Sequence, residues 1–271
     1  MRKNLDNSAV TAAPGSLNRS ALILTAIARG SSKGSKLTEL VARSALPRTT
    51  VVRVLAALQT LGWIMYDASG KRYNLGVDLA GLGYSAISRN PLEQLAAAEL
   101  NRLAEKLGQL VYLVIRSGLD MVCIGRYESQ SDIQIGRGGV GLRGPFGMTQ
   151  SCMGMIACLP EDEVRYIVEA NMARYHRVEG FDELGFRRTV AEAMQNGYGS
   201  YDNIILDRTT SGLGVAIRDL SAYPIAGIGT TYITGWLDDA QRLACITAMH
   251  EAAAAIETAL FGHACEGSPK G

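Results

Sequence analysis

A chain of 271 residues with 47% hydrophobic content is long enough for two buried cores, and its formal net charge of +1 gives no overall bias toward a polyanion. No apolar run approaches the ~18 residues that span a bilayer, and residues 1–16 carry Arg2, Lys3 and Asp6 without an apolar block, so neither a membrane span nor a signal peptide is expected and a cytoplasmic protein is. Five cysteines (123, 152, 158, 245 and 265) lack CxxC spacing, which argues against a disulfide framework and a zinc site.

In chain order, residues 1–16 read as a flexible tail. Residues 17–29 follow with Leu22, Ile23, Ala26 and Ile27 at helical spacing, a supporting first helix. The stretch 37–58 then reads as two short helices meeting at a three-residue turn. Leu37, Leu40 and Val41 give the first its apolar stripe, and Val51, Val54, Leu55 and Leu58 give the second. Arg48, Thr49, Thr50, Val52 and Arg53 are left near the turn and outward, where a recognition helix enters a major groove. Pro47 suits a helix start, and the threonine hydroxyls can donate to phosphate oxygens.

Two β-prone runs, Trp63-Ile64-Met65-Tyr66 and Arg72-Tyr73-Asn74-Leu75, flank a polar turn at 67–71. A hairpin there is a wing, with Lys71 and Arg72 at its tip beside the DNA backbone, and residues 17–75 make a winged helix-turn-helix DNA-binding domain. Charge distribution supports this use. Residues 17–84 hold nine Lys or Arg against three acids, a balance of +6, whereas from 85 onward sixteen bases face twenty-two acids, a balance of −6. A basic module joined to an acidic one is expected when the first binds double-stranded DNA and the second stays off it.

Residues 76–91 read as a linker helix interrupted by glycines. Pro91 opens the next helix, in which Leu95, Leu100, Leu103, Ala104 and Leu107 share a face and Gly108 is a stop. The period then changes to that of strands over 111–115, 121–124 and 132–135. Helices are expected through 152–158, from Pro160 onward and over 181–196 before Gly197. Strands return at 199–203, 213–218 and 225–232, and 238–261 is a long terminal helix. Hairpin strands with helices outside describe an α+β fold, a sensor domain over 92–263, followed by a flexible tail at 264–271.

This layout resembles the IclR family of bacterial transcriptional regulators from about Leu17 to Phe261. The resemblance is carried by Ala45-Leu46-Pro47-Arg48-Thr49-Thr50-Val51-Val52-Arg53-Val54-Leu55, by Tyr73-Asn74-Leu75-Gly76, and by Pro145-Phe146-Gly147-Met148-Thr149 with Leu159-Pro160. Gly197-Tyr198 before Asp202, and Ala226-Gly227-Ile228-Gly229-Thr230-Thr231, continue it. It implies a homodimer or homotetramer on operator DNA, with a small organic effector in a GAF-like C-terminal α/β domain. The family's turn glycine is here Ala45, which must either accept a left-handed backbone at a cost of about 1 kcal/mol or use another turn geometry.

Family members that bind small carboxylates place an acid, a Cys and two hydroxyls around the ligand, and these positions fall on Asp202, Gly212, Gly229 and Thr231. The two glycines predict a larger, less polar cavity and a bulkier effector, an aromatic or branched acid; the alternative is that they merely let strands pack closely. Arg137 or Arg143 is expected to hold a carboxylate, backbone N–H groups from Thr149 to Cys152 to favour an anion, and Phe146 and Met148 to form walls. Gly136 to Gly141 satisfies GxGxxG, but Gly144-Pro145 follows where a helix is needed, so it reads as a loop over the effector rather than a dinucleotide site. An enzyme using Cys152 with His176 lacks supporting spacing, so no catalytic residue, metal ligand or cofactor is assigned. The remaining alternative is a winged-helix scaffold, separable because it predicts no sequence preference on duplex DNA.

Overall fold

Apolar side chains three and four residues apart build the first unit, which ends at residue 86. The structure is a computed structural model and describes residues 15–28, 30–31, 33–88, 91–131, 135–136, 138–202 and 209–262. Helices α1 (Ser16–Ala28), α2 (Leu37–Ser44) and α3 (Arg48–Thr60) pack through Ile23, Ala26, Ile27, Leu40, Val51, Val54, Leu55 and Leu58. Each Ile, Leu or Val among these, once buried, contributes about 1.5–3 kcal/mol. Ala45 does take the left-handed backbone, at φ 53° and ψ 24°, and its N–H caps α2 on the Val41 carbonyl. Pro47 stands one residue outside α3, at its N-cap.

Strands β1 (Ile64–Asp67) and β2 (Arg72–Leu75) form the expected antiparallel hairpin, with Ile64 opposite Leu75 and Asp67 opposite Arg72. The Asp67 carboxylate accepts from the Ser69 hydroxyl and from the N–H groups of Ser69 and Gly70, which holds it below the usual carboxylate range and rigidifies the tip. Ser35 adds a bridge to Tyr73, tying the loop before α2 to the wing. Helix α4 (Val77–Ser88) follows.

The second unit begins at residue 87 with α5 (Pro91–Leu107). Its strands are β3 (Val111–Ser117), β4 (Asp120–Tyr127), β5 (Arg143–Pro145), β6 (Gly199–Tyr201), β7 (Thr210–Arg218) and β8 (Pro224–Ile233), and its other helices are α6 (Gln150–Ile156), α7 (Glu161–Tyr175), α8 (Glu183–Asn196) and α9 (Asp239–Phe261). The six strands pair antiparallel in the order β5-β4-β3-β8-β7-β6. The short edge strand β5 was not expected from the sequence. The expected strand over 132–135 falls, but for Ile135, outside the described residues, as do Arg137, Asn203, His263 and Cys265.

Alternation along the strands splits the core in two. Val111 and Leu113 of β3, with Leu213, Val215 and Ile217 of β7, face α5 and α9; Tyr112 and Val114 face the cluster made by α6, α7 and α8. On that second face β7 and β8 carry Gly212, Gly214, Gly227 and Gly229, and α6 lies directly against them. A Cβ on Gly214 would stand 1.8 Å from the Gln150 carbonyl oxygen, and one on Gly227 2.2 Å from that of Ser151. Helix α9 is 23 residues long and apolar enough to cross a membrane by length and composition. Its Cys245, Ile246, Met249, Ala252 and Ile256 belong instead to the core over the sheet.

Candidate functional sites

At the start of α3, Arg48, Thr49, Val52 and Arg53 are exposed and Thr50 is half-buried, because Val51, Val54 and Leu55 turn the opposite face inward. A helix start with two guanidinium groups and two hydroxyls can meet phosphates and base edges together. On the wing, Lys71 is exposed at the turn with φ 52°. Arg72 is only half exposed, and its Nη1 donates to the Gly34 carbonyl at 2.7 Å. Arg43 is similarly engaged, donating to the Ala26 carbonyl and to Ser35 Oγ. Part of the positive charge counted in this region therefore holds the loop before α2 in place.

The second unit contains a cavity of about 100 Å³ between the β3 and β4 strands, the loop before β5 and the first residues of α6. Met148, Thr149 and Thr231 line it, together with Tyr112, Val114, Met121, Cys123, Leu142, Gln150, Ser151 and Thr210. Gly136, Gly138 and Gly139 close one side, and no helix follows Gly141 before β5, so the glycine motif lacks the element a dinucleotide site requires. The remaining expected pocket residues are placed elsewhere. Arg143 lies on β5 with Nε 2.6 Å from Asp120 Oδ2, because the β4 and β5 pairing sets Asp120 opposite Pro145. Phe146 is wholly buried beneath the Arg116 guanidinium, which lies 5.7 Å from its ring centre, and its carbonyl accepts from the Tyr175 hydroxyl. Cys152 is also wholly buried, with Thr149 Oγ1 donating to its Sγ at 3.2 Å.

Asp202 accepts from Arg242 of α9 at 3.2 Å through both oxygens, and Arg242 also donates to Ser200. Gly212 and Gly229 enlarge nothing. A Cβ on Gly229 would stand 2.2 Å from Ser151 Oγ, and one on Gly212 2.7 Å from the Thr230 carbonyl oxygen, so the space beside them is filled by α6 and the neighbouring strand. The expectation of a cavity widened by these glycines is thus corrected to close packing of helix on sheet.

The polar side chains of the lining include Tyr112, Thr149, Gln150, Thr210 and Thr231. Gln150 Nε2 donates to Thr231 Oγ1, and Thr149 Oγ1 accepts from the Cys152 N–H at 3.4 Å as the N-cap of α6. Ser151 Oγ is buried without a hydrogen-bond partner. Burial pushes the Cys123 thiol up to about 11 and the Tyr112 phenol up as well, so both stay neutral at physiological pH. Burial likewise raises Cys152, and His176 instead contacts Glu183 at 3.0 Å on the surface, an arrangement unlike an activated thiolate and base. Among the described residues no three His, Cys, Asp or Glu side chains gather as metal ligands.

Residues 16–68 match the IclR helix-turn-helix domain, and residues 84–258 match the family model described as bacterial transcriptional regulator IclR C-terminal. The chain belongs to the IclR family. It is therefore a DNA-binding transcriptional regulator rather than an enzyme. Similar IclR-family relatives include the regulator KipR of Bacillus subtilis, 25% identical over 194 residues covering 71% of this chain and 76% of KipR. KdgR of Escherichia coli is 24% identical over 242 residues, covering 87% and 89%. The fold is shared with an IclR regulator from Alicyclobacillus acidocaldarius at TM-score 0.75 and 24% identity, covering 91% of this chain and 99% of that one. It is also shared with an IclR homologue from Microbacterium hydrocarbonoxydans complexed with 4-hydroxybenzoate, at TM-score 0.68 and 19% identity, covering 90% and 98%.

Proposed function

We propose that this IclR regulator reads operator DNA with residues 48–53 and Lys71, and that a small organic effector bound in the cavity of the second unit controls its affinity. The observation that carries the effector half is the cavity itself, lined by apolar Val114, Met121, Leu142 and Met148 together with the polar side chains of Tyr112, Thr149, Gln150, Thr210 and Thr231. The homologue bound to 4-hydroxybenzoate supports a ring-sized ligand in this fold. Two protomers of a homodimer or homotetramer would each occupy one half-site, so the operator is a near-palindrome. The residues 76–91 are the proposed route by which the effector alters placement of the winged helices, in a protein acting in the cytoplasm.

Of the two arginines expected to hold a carboxylate, Arg143 is bound to Asp120 and lies outside the cavity lining, and Arg137 lies outside the described residues. Selection of duplexes from a random DNA library by the full chain, with and without a pool of small aromatic and aliphatic acids and their amides, tests the whole reading. An enriched inverted repeat whose recovery changes with the pool is the expected result. No enrichment at moderate salt would return the winged helix to protein contacts.

A further inference from the structure

The wing holds more chain than its hairpin. Ser35 exchanges both backbone hydrogen bonds with Tyr73, its N–H donating to the Tyr73 carbonyl at 3.0 Å and the Tyr73 N–H to its own carbonyl at 2.9 Å. Such an exchange is antiparallel pairing, so the segment before α2 lies along the free edge of β2 through this single bridge. Continued one residue each way, the register sets Lys36 beside Arg72 and Gly34 beside Asn74. Side chains alternate between faces along such a pair. Ser35 is wholly buried and Tyr73 packs on the core of the first unit, so Lys36 turns to the solvent face, where it is exposed.

The segment is braced from several sides. Arg72 Nη1 donates to the Gly34 carbonyl at 2.7 Å, and Arg43 Nη1 donates to Ser35 Oγ at 3.1 Å. A Cβ on Gly34 would stand 2.5 Å from Asn74 Oδ1, and its φ of 88° is one that glycine adopts without strain. Around Lys36 the charges are partly committed. Glu39 Oε2 accepts the Lys36 N–H at 3.2 Å, and Arg72 faces Asp67 across the hairpin. Lys71 precedes Arg72 in the chain and Lys36 stands opposite Arg72, so two exposed ammonium groups flank one guanidinium held by the backbone.

Lys36 is also the N-cap residue of α2, the first helix of the helix-turn-helix. In that motif the second helix reads base edges while the first crosses the phosphate backbone. We propose that Lys36 contacts the DNA backbone, at a phosphate separate from the one met by Lys71, and that Arg43 and Arg72 hold in place the segment that presents it. This deepens the operator reading above and rests on it. Bracing the segment in the free protein removes an ordering cost that DNA binding would otherwise carry.

A phosphate contact has a signature that a base contact lacks, because phosphates carry charge but no sequence. Binding of the full-length chain is measured against salt on the duplex selected from the random library and on a shuffled duplex of equal length. Lys36→Ala should lower the salt slope by about 0.9 on both duplexes, so that its deficit shrinks roughly 3.5-fold between about 50 and 200 mM salt. Lys36→Arg should restore the slope, the Lys36→Ala, Lys71→Ala double variant should lose about twice as much, and the urea midpoint of Lys36→Ala should stay level. Lys106→Ala, which removes an equal charge paired with Glu251 in the second unit, should leave the slope unchanged. An unchanged slope in Lys36→Ala, a deficit confined to the selected duplex, or an equal loss in Lys106→Ala would each overturn the proposal. Arg53→Ala and Lys71→Ala weakening binding while Lys36→Ala does not would overturn it alone, whereas failure to select any duplex would remove the operator reading itself.

Discussion

Ala45 shows how one side chain can sit against the preference of its backbone. Its φ of 53° puts Cβ close to the following carbonyl, a strain of roughly 1–2 kcal/mol for an L-residue, and glycine escapes this at the expense of a more flexible unfolded chain. The entropic term of about 0.4–1 kcal/mol offsets part of the strain, so Ala45→Gly should stabilise the protein by about 1 kcal/mol, read as a higher urea midpoint at unchanged slope for the full chain. A lower midpoint would show that the turn tolerates Cβ without strain. The position was recognisable from the sequence as a turn, because apolar spacing on both sides leaves three residues between helices; its geometry was not, because two backbone solutions satisfy that spacing. Arg143 and Asp202 were beyond reach for a different reason. The partners that draw them to the surface, Asp120 and Arg242, lie 23 and 40 residues away in sequence, and only the strand pairing and the placement of α9 bring them together.

At the scale of elements, the seating of α6 decides both the core and the cavity. The helix backbone rests on glycines of two strands, so its first residues are held beside the cavity by main-chain contact rather than by side-chain packing. Gly214→Ala would set Cβ 1.8 Å from the Gln150 carbonyl oxygen, an overlap that only movement of α6 or β7 relieves. Such overpacking costs typically 1–3 kcal/mol and occasionally more. The expected outcome is a loss of at least 2 kcal/mol in unfolding free energy together with altered cavity binding; full retention of both would show that α6 is free to lift. Glycines within strands carry two possible meanings in a sequence, room for a ligand or room for a backbone, and nothing within β7 or β8 distinguishes them. The strands were legible as apolar runs bounded by Gly, Asp or Ser, as in β3, and β5, which reads Arg143-Gly144-Pro145, escaped because it carries no such run. The wing belongs to this scale too. Lys71 is exposed at the tip, whereas Arg72 donates to Gly34, so Lys71→Ala should lower the salt slope of operator binding by about one unit with little change in stability. Arg53→Ala, removing an exposed group on α3 that is proposed to face the bases, should cost roughly 1–3 kcal/mol of operator binding, measured by fluorescence anisotropy at fixed salt. Arg72→Ala should instead lower stability, so the two arginines separate reading from holding.

For the whole molecule, a basic unit that meets DNA and an acidic unit with a cavity make a regulator only if the two share one equilibrium. Linkage then fixes a relation that does not depend on how the signal travels: whatever factor a ligand applies to operator affinity, the operator must apply to ligand affinity. Allosteric couplings of this kind amount to about 1–3 kcal/mol, or 5- to 150-fold. The ligand's dissociation constant, measured by calorimetry on the free full-length protein and again on the protein saturated with its selected duplex, should therefore change by the factor by which the ligand shifts duplex affinity. Equal factors of either direction support one switch with two sites, and the direction says whether the ligand favours the DNA-bound or the free form. A ligand that binds the cavity with the same constant in both states shifts nothing, however tightly it binds. That outcome would leave α3 and the wing as a DNA reader and the cavity as a binding site without control over it.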